Sequence, residues 1–427
     1  MFVNREDQTK LEQDSALGDL LVLDLTDEKG LYAGKLLADM GGLVIKIEPP
    51  GGDLARHIGP FYQDTNDPKN SLFYWYHNTS KKSITLDIHT TRGQELLKRL
   101  ARHADVLLES SPHGYLASLG LDYQTLSQVN PALIFTSLTG FGQTGPYRDY
   151  VTSDLVAMAM GGPMASCGYD DIPGTPPIRC DGWAGYLTGC HYAAVSTMAA
   201  IVCRDITGHG QHLDVSLHEA LSCTTEAAMP WYIYQKQVPF RQTGRHHSVD
   251  HTPPAIYWSS DGKLIHVFGT PPQTIDRWVG LLAWMEEYGI GQELHDVEYR
   301  ALVNTRTRSG ELIENLFLRV GELIARMPGD AVYSRAQSIG LPWGIVRSPD
   351  ETLGDPHLWD RGFFVEVEHP ELDDKFVYPG APYIFSGTPW KVTRRAPFPG
   401  EDNEEVYING LGLSSEELEL LKEDGVV

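Results

Sequence analysis

From Leu20 to Leu138 the chain alternates short apolar runs with segments of helical length, and that alternation sets the fold class. Leu20–Leu25 reads as a strand and Tyr32–Met40 as a helix rich in Ala and Leu. Leu43–Glu48 reads as a second strand, closed by the turn sequence Pro49-Pro-Gly-Gly-Asp53. Strand, helix and strand within about thirty residues is the spacing of a βαβ unit. The pattern goes on with a strand at Ser83–Asp87, an amphipathic helix at Thr91–His103 and a strand at Asp105–Glu109. A helical stretch at Tyr123–Val129 and a strand at Leu133–Leu138 complete it. A parallel sheet covered by helices is expected, receiving ligands near the carboxyl ends of its strands.

Beyond Asp181 the chain reads as a long helix, a Gly-rich turn (Thr207-Gly-His-Gly210), a strand (His212–Val215) and a new helix to about Ala220. Met229–Pro254 is aromatic-rich and without periodicity, so it is expected to be irregular. A compact unit is expected next, with strands at Ala255–Trp258 and Leu264–Phe268 joined by a turn at Asp261-Gly262. Helices are expected over Gln273–Gly289 and Gly310–Arg326. After Pro342 the chain is rich in Pro and Gly, with short strands such as Phe363–Val367. A last helix, Ser414–Lys422, opens on a serine cap with Glu416 and Glu417 in its first turn.

Composition narrows the partners. At 427 residues the chain has room for two or three domains, and 41% hydrophobic residues suffice for a sizeable core. The net charge of −23 argues against nucleic acid and against anionic membrane surfaces, both of which need clustered Lys and Arg. A small anionic ligand is compatible with it, because a pocket depends on a few local cations and helix N-termini. Cys167, Cys180, Cys190, Cys203 and Cys223 are odd in number and contain no CxxC pair, so reduced thiols are expected rather than disulfides or zinc. The polar start Met1–Ser15 has no apolar core of a secretory signal. Tyr186–Cys203, the least polar long stretch, contains Gly189, His191, Ser196 and Thr197 and suits a buried helix better than a bilayer span. A soluble, cytoplasmic protein is expected.

Three motifs compete for function. Gly140-Phe-Gly-Gln-Thr-Gly145 matches GxGxxG after a strand, but Pro146 follows at once and the segment reads as a turn rather than a helix start. His246, His247 and His251 lie in the irregular connection without nearby ligands at metal spacing, so a solvated loop is expected and no metal site. Asp181, in Ile178-Arg-Cys-Asp-Gly-Trp-Ala-Gly185, stands directly before the long apolar helix. It can be a simple helix cap. The local sequence favours the cap, but the same placement also suits an ionised nucleophile toward a thioester carbonyl, kept charged by the helix N-terminus, with Gly182 and Gly185 leaving room for a substrate.

A wider resemblance bears on that choice. The strings Leu21-Val-Leu-Asp-Leu-Thr26 and Leu36-Leu-Ala-Asp-Met-Gly-Gly42 lead to Ile47-Glu-Pro-Pro-Gly-Gly-Asp53. Asn78-Thr-Ser-Lys-Lys-Ser-Ile-Thr-Leu-Asp87, Ala104-Asp-Val-Leu-Leu-Glu109 and Gly140-Phe-Gly-Gln-Thr-Gly-Pro146 follow in order. Then come Thr207-Gly-His-Gly-Gln211, Asp355-Pro-His-Leu358 and Arg361-Gly-Phe-Phe364. In sequence and order they resemble the family III CoA-transferases, the CaiB/BaiF family, from about Leu20 to Val427.

The resemblance implies an α/β fold: a large Rossmann-like domain, a smaller α+β domain, and two chains interlocked as a homodimer. It implies a polar segment over 1–17, the first part of the large domain over 18–229, the small domain with linkers over 230–340, and a return to the large domain over 341–427. It places the catalytic aspartate at Asp181. The activity it implies moves CoA from an acyl-CoA donor to a small carboxylic acid through aspartyl anhydride and thioester intermediates. The CoA thioester is a co-substrate, and no cofactor is held permanently. Contacts to CoA fall on Leu86, His89 and Ser110. Arg56, Lys81 and Lys82 are cations available for the phosphates, and each can equally be a solvated surface charge. The chain departs from the family pattern at Asp27-Glu-Lys-Gly30, at Ser110-Ser111 and at Ser118. The α-methylacyl-CoA racemase branch uses a His-Asp pair where this chain has Ser153-Asp154, which leaves it one acid–base group short. A non-catalytic CoA-binding paralogue is the other alternative.

Overall fold

The computed structural model describes residues 15–180, 182–225, 228–303 and 310–427, which form two compact units. The first unit combines 15–161, 182–224 and 356–427. Its sheet uses β1 (Leu21–Leu25), β2 (Leu43–Glu48), β3 (Lys82–Thr85), β4 (Val106–Glu109), β5 (Ile134–Thr139) and β6 (His212–Ser216), in the order β3-β2-β1-β4-β5-β6. Every neighbouring pair is parallel, in registers such as Leu23 opposite Ile45 and Leu107. Between the strands run α1 (Leu31–Asp39), α2 (Leu72–His77), α3 (Thr91–Ala101), α4 (Tyr115–Ser118) and α5 (Tyr123–Val129), then α6 (Asp154–Gly161), α7 (Ala184–Thr207) and α8 (Leu217–Ser222). The expected strands and helices up to α5 are present, their ends shifted by a residue or two. Strands β1, β2, β4 and β5 are buried on both faces, which is why they read as continuous apolar runs rather than alternations.

Helix α7 is long and apolar enough to cross a membrane by length and composition alone. Here one of its faces, including Tyr186, Cys190, Ala193 and Thr197, is buried, and the Thr197 hydroxyl meets Thr136 of β5 at 2.8 Å. Gly189 lets it come close, since a Cβ there would strike Leu217.

The second unit joins 162–180 to 225–355, a wider span than 230–340. The physical reason is a set of bonds from the arc 162–180 to an antiparallel hairpin, β7 (Phe240–Gln242) and β8 (Arg245–Ser248). Arg241 donates to the carbonyls of Tyr169 (3.0 Å) and Thr175 (2.7 Å), and Thr243 N–H donates to Asp170 (2.7 Å). This hairpin occupies part of the connection expected to be irregular, and His246 and His247 lie on its second strand rather than in a loop. The unit's core is a three-stranded antiparallel sheet, β9 (Ile256–Trp258), β10 (Leu264–His266) and β11 (Gly344–Ile345), packed with α9 (Ile275–Glu286), α10 (Glu311–Ile324) and α11 (Gly329–Ile339) around Trp284 and Trp343.

The C-terminal segment belongs to the first unit. After a hairpin of β12 (Phe364–His369) and β13 (Asp374–Pro379), it covers β3, the edge of the parallel sheet. Instead of adding a strand, it caps that edge with side chains. Asp402 accepts from Ser83 N–H at 2.8 Å and Asn403 from Thr85 N–H at 2.9 Å. That satisfies backbone groups that would otherwise be free to pair with another chain. The last helix, α12 (Ser415–Glu423), has the expected Ser414 cap with Glu417 closing a capping box, and buries Leu418 and Leu421 in the same core as Ile84.

Candidate active site

β1 lies between β2 and β4, so the winding direction reverses at β1/β4 and the loops after these two strands part there. They are held to each other by Ser110 and Asp27. Asp27 N–H donates to Ser110 Oγ at 2.8 Å, and Ser110 Oγ donates to the Asp27 carboxylate at 2.6 Å. Lys29 forms an ion pair with Asp27. Cys190 of α7 donates its thiol to Lys29 O at 3.2 Å, and burial pushes that thiol up to about 12, so it acts as a packing group. Between them, burial and then the neighbouring Asp27 hold the Glu28 carboxyl above its usual range.

Three buried ion pairs brace the loops from below. Lys81 reaches Asp24 at 2.8 Å and also donates to Leu31 O and Asn78. Lys46 reaches Asp53 at 2.8 Å and donates to Thr26 O. Arg56 forks onto Glu48 with two bonds of 2.7 Å, donates to Pro397 O, and lies over the Tyr74 ring at 3.8 Å. Burial opposes ionisation of Asp24 and Glu48, but the cations beside them win and hold both carboxylates below their usual range. Removing one member of such a pair leaves an uncompensated buried charge.

The entry to α7 faces this loop system. Gly182 and Trp183 have φ of +81° and +59°, both left-handed, and the helix begins at Ala184. A left-handed Trp costs on the order of 1–3 kcal/mol and persists only where its surroundings hold it. Here its ring packs on Phe73 (5.3 Å) and stacks on Tyr186 (5.6 Å). Buried Asp154 accepts from Tyr186 N–H at 3.0 Å, meeting one of the open donors of the helix start. The carboxylate of the Ser153-Asp154 pair is thus a cap, a role that its distance of 32 residues from Tyr186 hid in the sequence. Burial raises the Tyr186 hydroxyl well above its usual value, with Glu28, Asp27 and Asp154 adding to the effect. Asp181 itself lies outside the described residues.

The other residues expected to meet CoA are distributed as follows. Leu86 is buried in the core, its N–H held by Glu48 O at 2.7 Å. His89 is exposed and bridges Asp87 (2.8 Å) and the Tyr115 hydroxyl (2.9 Å), so the loop after β3 is tied to α4. Ser110 is buried in the link to Asp27. Arg56 and Lys81 are buried with their charges matched, and Lys82 is paired with Glu405 at the surface. The structure therefore gathers the loops that carry Leu86, His89 and Ser110, while each of the three cations already has a carboxylate partner.

Two further features went unread in the sequence. The Thr139 hydroxyl, buried at the carboxyl end of β5, has no hydrogen-bond partner among the described residues, although such groups are rarely left unsatisfied. Beneath the 110–114 loop is a cavity of about 250 Å³ lined by Glu109, His113, Tyr123, Ser137 and His212, with Ser137 Oγ 2.9 Å from His212 Nε2. The Gly140–Gly145 loop is a turn, as its Pro146 suggested, with φ of +83° at Gly142 and Gly145.

Residues 17–403 match the model of CoA-transferase family III. The chain is 34% identical, over 88% of its length and 91% of the relative's, to the succinate–glutarate CoA-transferase of Agrobacterium fabrum. It is 32% identical to the BbsE subunit of succinyl-CoA:(R)-benzylsuccinate CoA-transferase from Thauera aromatica, covering 91% and 92%. The formyl-CoA:oxalate CoA-transferase of Streptomyces coelicolor is also 32% identical, covering 96% and 99%. Among solved structures, a CaiB/BaiF family protein from Brucella suis superposes with a TM-score of 0.77 at 27% identity, covering 93% of this chain and all of that one. The chain belongs to CoA-transferase family III. It is an enzyme of that kind, transferring CoA between acyl-CoA thioesters and carboxylic acids.

Proposed function

We propose that Asp181 is the nucleophile of this transfer. The observation that carries the reading is the backbone after it: two successive left-handed residues, Gly182 and Trp183, lead into α7 beside the loop that follows β1. The strain sits at Trp183, since a left-handed glycine bears none, and backbone strain collects at functional sites.

In this mechanism an Asp181 carboxylate oxygen attacks the donor thioester carbonyl. The C–S bond breaks, leaving an acyl–aspartyl anhydride and CoA thiolate. The thiolate then attacks the aspartyl carbonyl, releasing the donor acid and leaving an aspartyl-CoA thioester. The acceptor carboxylate attacks that thioester and expels the thiolate, which takes the acceptor acyl group and restores the Asp181 carboxylate. Hydrolysis would discard the thioester's energy, so water must be excluded and each oxyanion met by N–H donors. Leu86, His89 and Ser110 supply CoA contacts. Lys82, at the surface, engages a phosphate by exchanging its Glu405 partner, while Arg56 stays on buried Glu48 and acts by holding the Pro49–Asp53 turn.

The acids are small carboxylates of the kind named for the relatives, among them succinate, glutarate and oxalate. The enzyme is proposed to act in the cytoplasm as an interlocked homodimer. In support of the homodimer, the outer face of α7 exposes Tyr192, Val195, Val202 and Ile206, with Val195 70% and Ile206 82% exposed.

The test is a panel of acyl-CoA donors and free acids in D₂O, every thioester being weighed by mass spectrometry. New thioesters that require both donor and acceptor support the proposal. Deuterium gained next to the thioester, with no new thioester, would replace it with the racemase reading.

A further inference from the structure

Cys167 and Cys180 are thirteen positions apart, yet the arc between them closes on itself. Ile178 N–H donates to Cys167 O at 3.2 Å, which brings the segment carrying Cys180 alongside Cys167, and the Cys180 thiol is near enough to bear on the ionisation of the Cys167 thiol. The arc is held from outside by Arg241, on the carbonyls of Tyr169 and Thr175, and by Thr243, on Asp170 and Asp171. The thiols are therefore placed together by a braced turn, not by two free ends. Cys180 is exposed and Cys167 half-buried, so a small oxidant reaches one sulfur while the second waits behind it. Cys180 is also the residue directly before Asp181.

We propose that Cys167 and Cys180 are a thiol modification site, forming a reversible intramolecular disulfide that constrains the chain directly ahead of Asp181. The co-reactant is a small-molecule disulfide of the glutathione type. The exposed Cys180 thiol loses its proton and the thiolate attacks one sulfur of that disulfide. A mixed disulfide forms and one small thiolate leaves. Cys167, deprotonated in turn, attacks the Cys180 sulfur and expels the second small thiolate. Two protein thiols are oxidised by two electrons, and one small disulfide is reduced to two thiols. Burial holds the Cys167 thiol above its usual value, which fits it to act second as the resolving group. The effect on turnover rests on Asp181 as the nucleophile. The cross-link does not.

The test treats the full-length, reduced protein with oxidised glutathione, blocks remaining thiols with iodoacetamide, and maps peptides by mass spectrometry. Turnover is measured before and after dithiothreitol. The inference expects a linked Cys167–Cys180 peptide pair. It expects a fall in turnover of about tenfold or more, the scale of small misplacements at an active site. Dithiothreitol should restore it, and Cys167→Ser and Cys180→Ser, each active when reduced, should resist the oxidant. Separate mixed disulfides without the link would overturn the inference, and a link with unchanged turnover would overturn its regulatory half. Normal turnover in Asp181→Ala would instead remove the catalytic reading while leaving the peptide result intact.

Discussion

Ser110 and Asp27 exchange two hydrogen bonds, of 2.6 and 2.8 Å, across the point where the winding of the sheet reverses. Ser110→Ala removes both and leaves the Asp27 N–H without its partner. A loss of about 1 kcal/mol in stability is expected, with a KM for acyl-CoA raised roughly fivefold and kcat changed less. Steady-state kinetics alongside a urea titration checks it. Ser110→Thr, which retains the hydroxyl, should recover most of the loss.

Arg56 is bonded twice to a buried carboxylate, so truncation leaves Glu48 charged and unmatched. Arg56→Ala is expected to cost about 3–5 kcal/mol, read from the denaturation midpoint. Arg56→Lys should recover only part of it, because an ammonium cannot reproduce the two-pronged geometry on Glu48.

Asp154 accepts from Tyr186 N–H at 3.0 Å, and an amide oxygen can do the same. Asp154→Asn is expected to keep near-normal transferase turnover, whereas Asp154→Ala should lose about 1 kcal/mol of stability with the cap. A collapse of activity in Asp154→Asn with the fold intact would give this carboxylate an acid–base role and favour the racemase reading.

His77 is buried against Phe73 and Tyr76, and burial pushes its imidazole down to about 4. The folded state therefore holds it neutral while the unfolded chain takes up a proton near 6.5. Below that value the unfolded state binds more protons, so stability falls with pH from about 6.5 to about 4, by roughly 3 kcal/mol in total. His77→Gln should flatten the stability profile in that window. The losses from Asp24 and Glu48, whose carboxylates are held lower, should remain at more acidic pH.

The parallel sheet was legible because its central strands are buried on both faces and turn residues separate them from amphipathic helices. The hairpin at 240–248 was not. Its strands, Phe240-Arg-Gln242 and Arg245-His-His-Ser248, are short and polar, and they are anchored by Arg241 and Thr243 to residues some seventy positions earlier. The same limit applies at the site. Arg56 and Lys81 read as available cations, since nothing local shows that Pro49–Asp53 turns Arg56 back onto Glu48 or that Lys81 meets Asp24 across 57 positions. Asp154 as a cap for Tyr186 was hidden for the same reason. Asp181 was legible only as a carboxylate before a helix, and its proposed role came from the resemblance across the chain.

The central claim is that Asp181 carries the acyl group and then CoA. The direct measurement mixes acyl-CoA donor with wild-type protein and with Asp181→Ala, quenches with borohydride, and maps the peptide containing residue 181 by mass spectrometry. The account predicts that wild-type Asp181 is reduced to the alcohol through its thioester, and that Asp181→Ala folds but neither yields a reduced residue nor transfers CoA. Normal turnover in Asp181→Ala, or reduction of a different carboxylate to its alcohol, would contradict it.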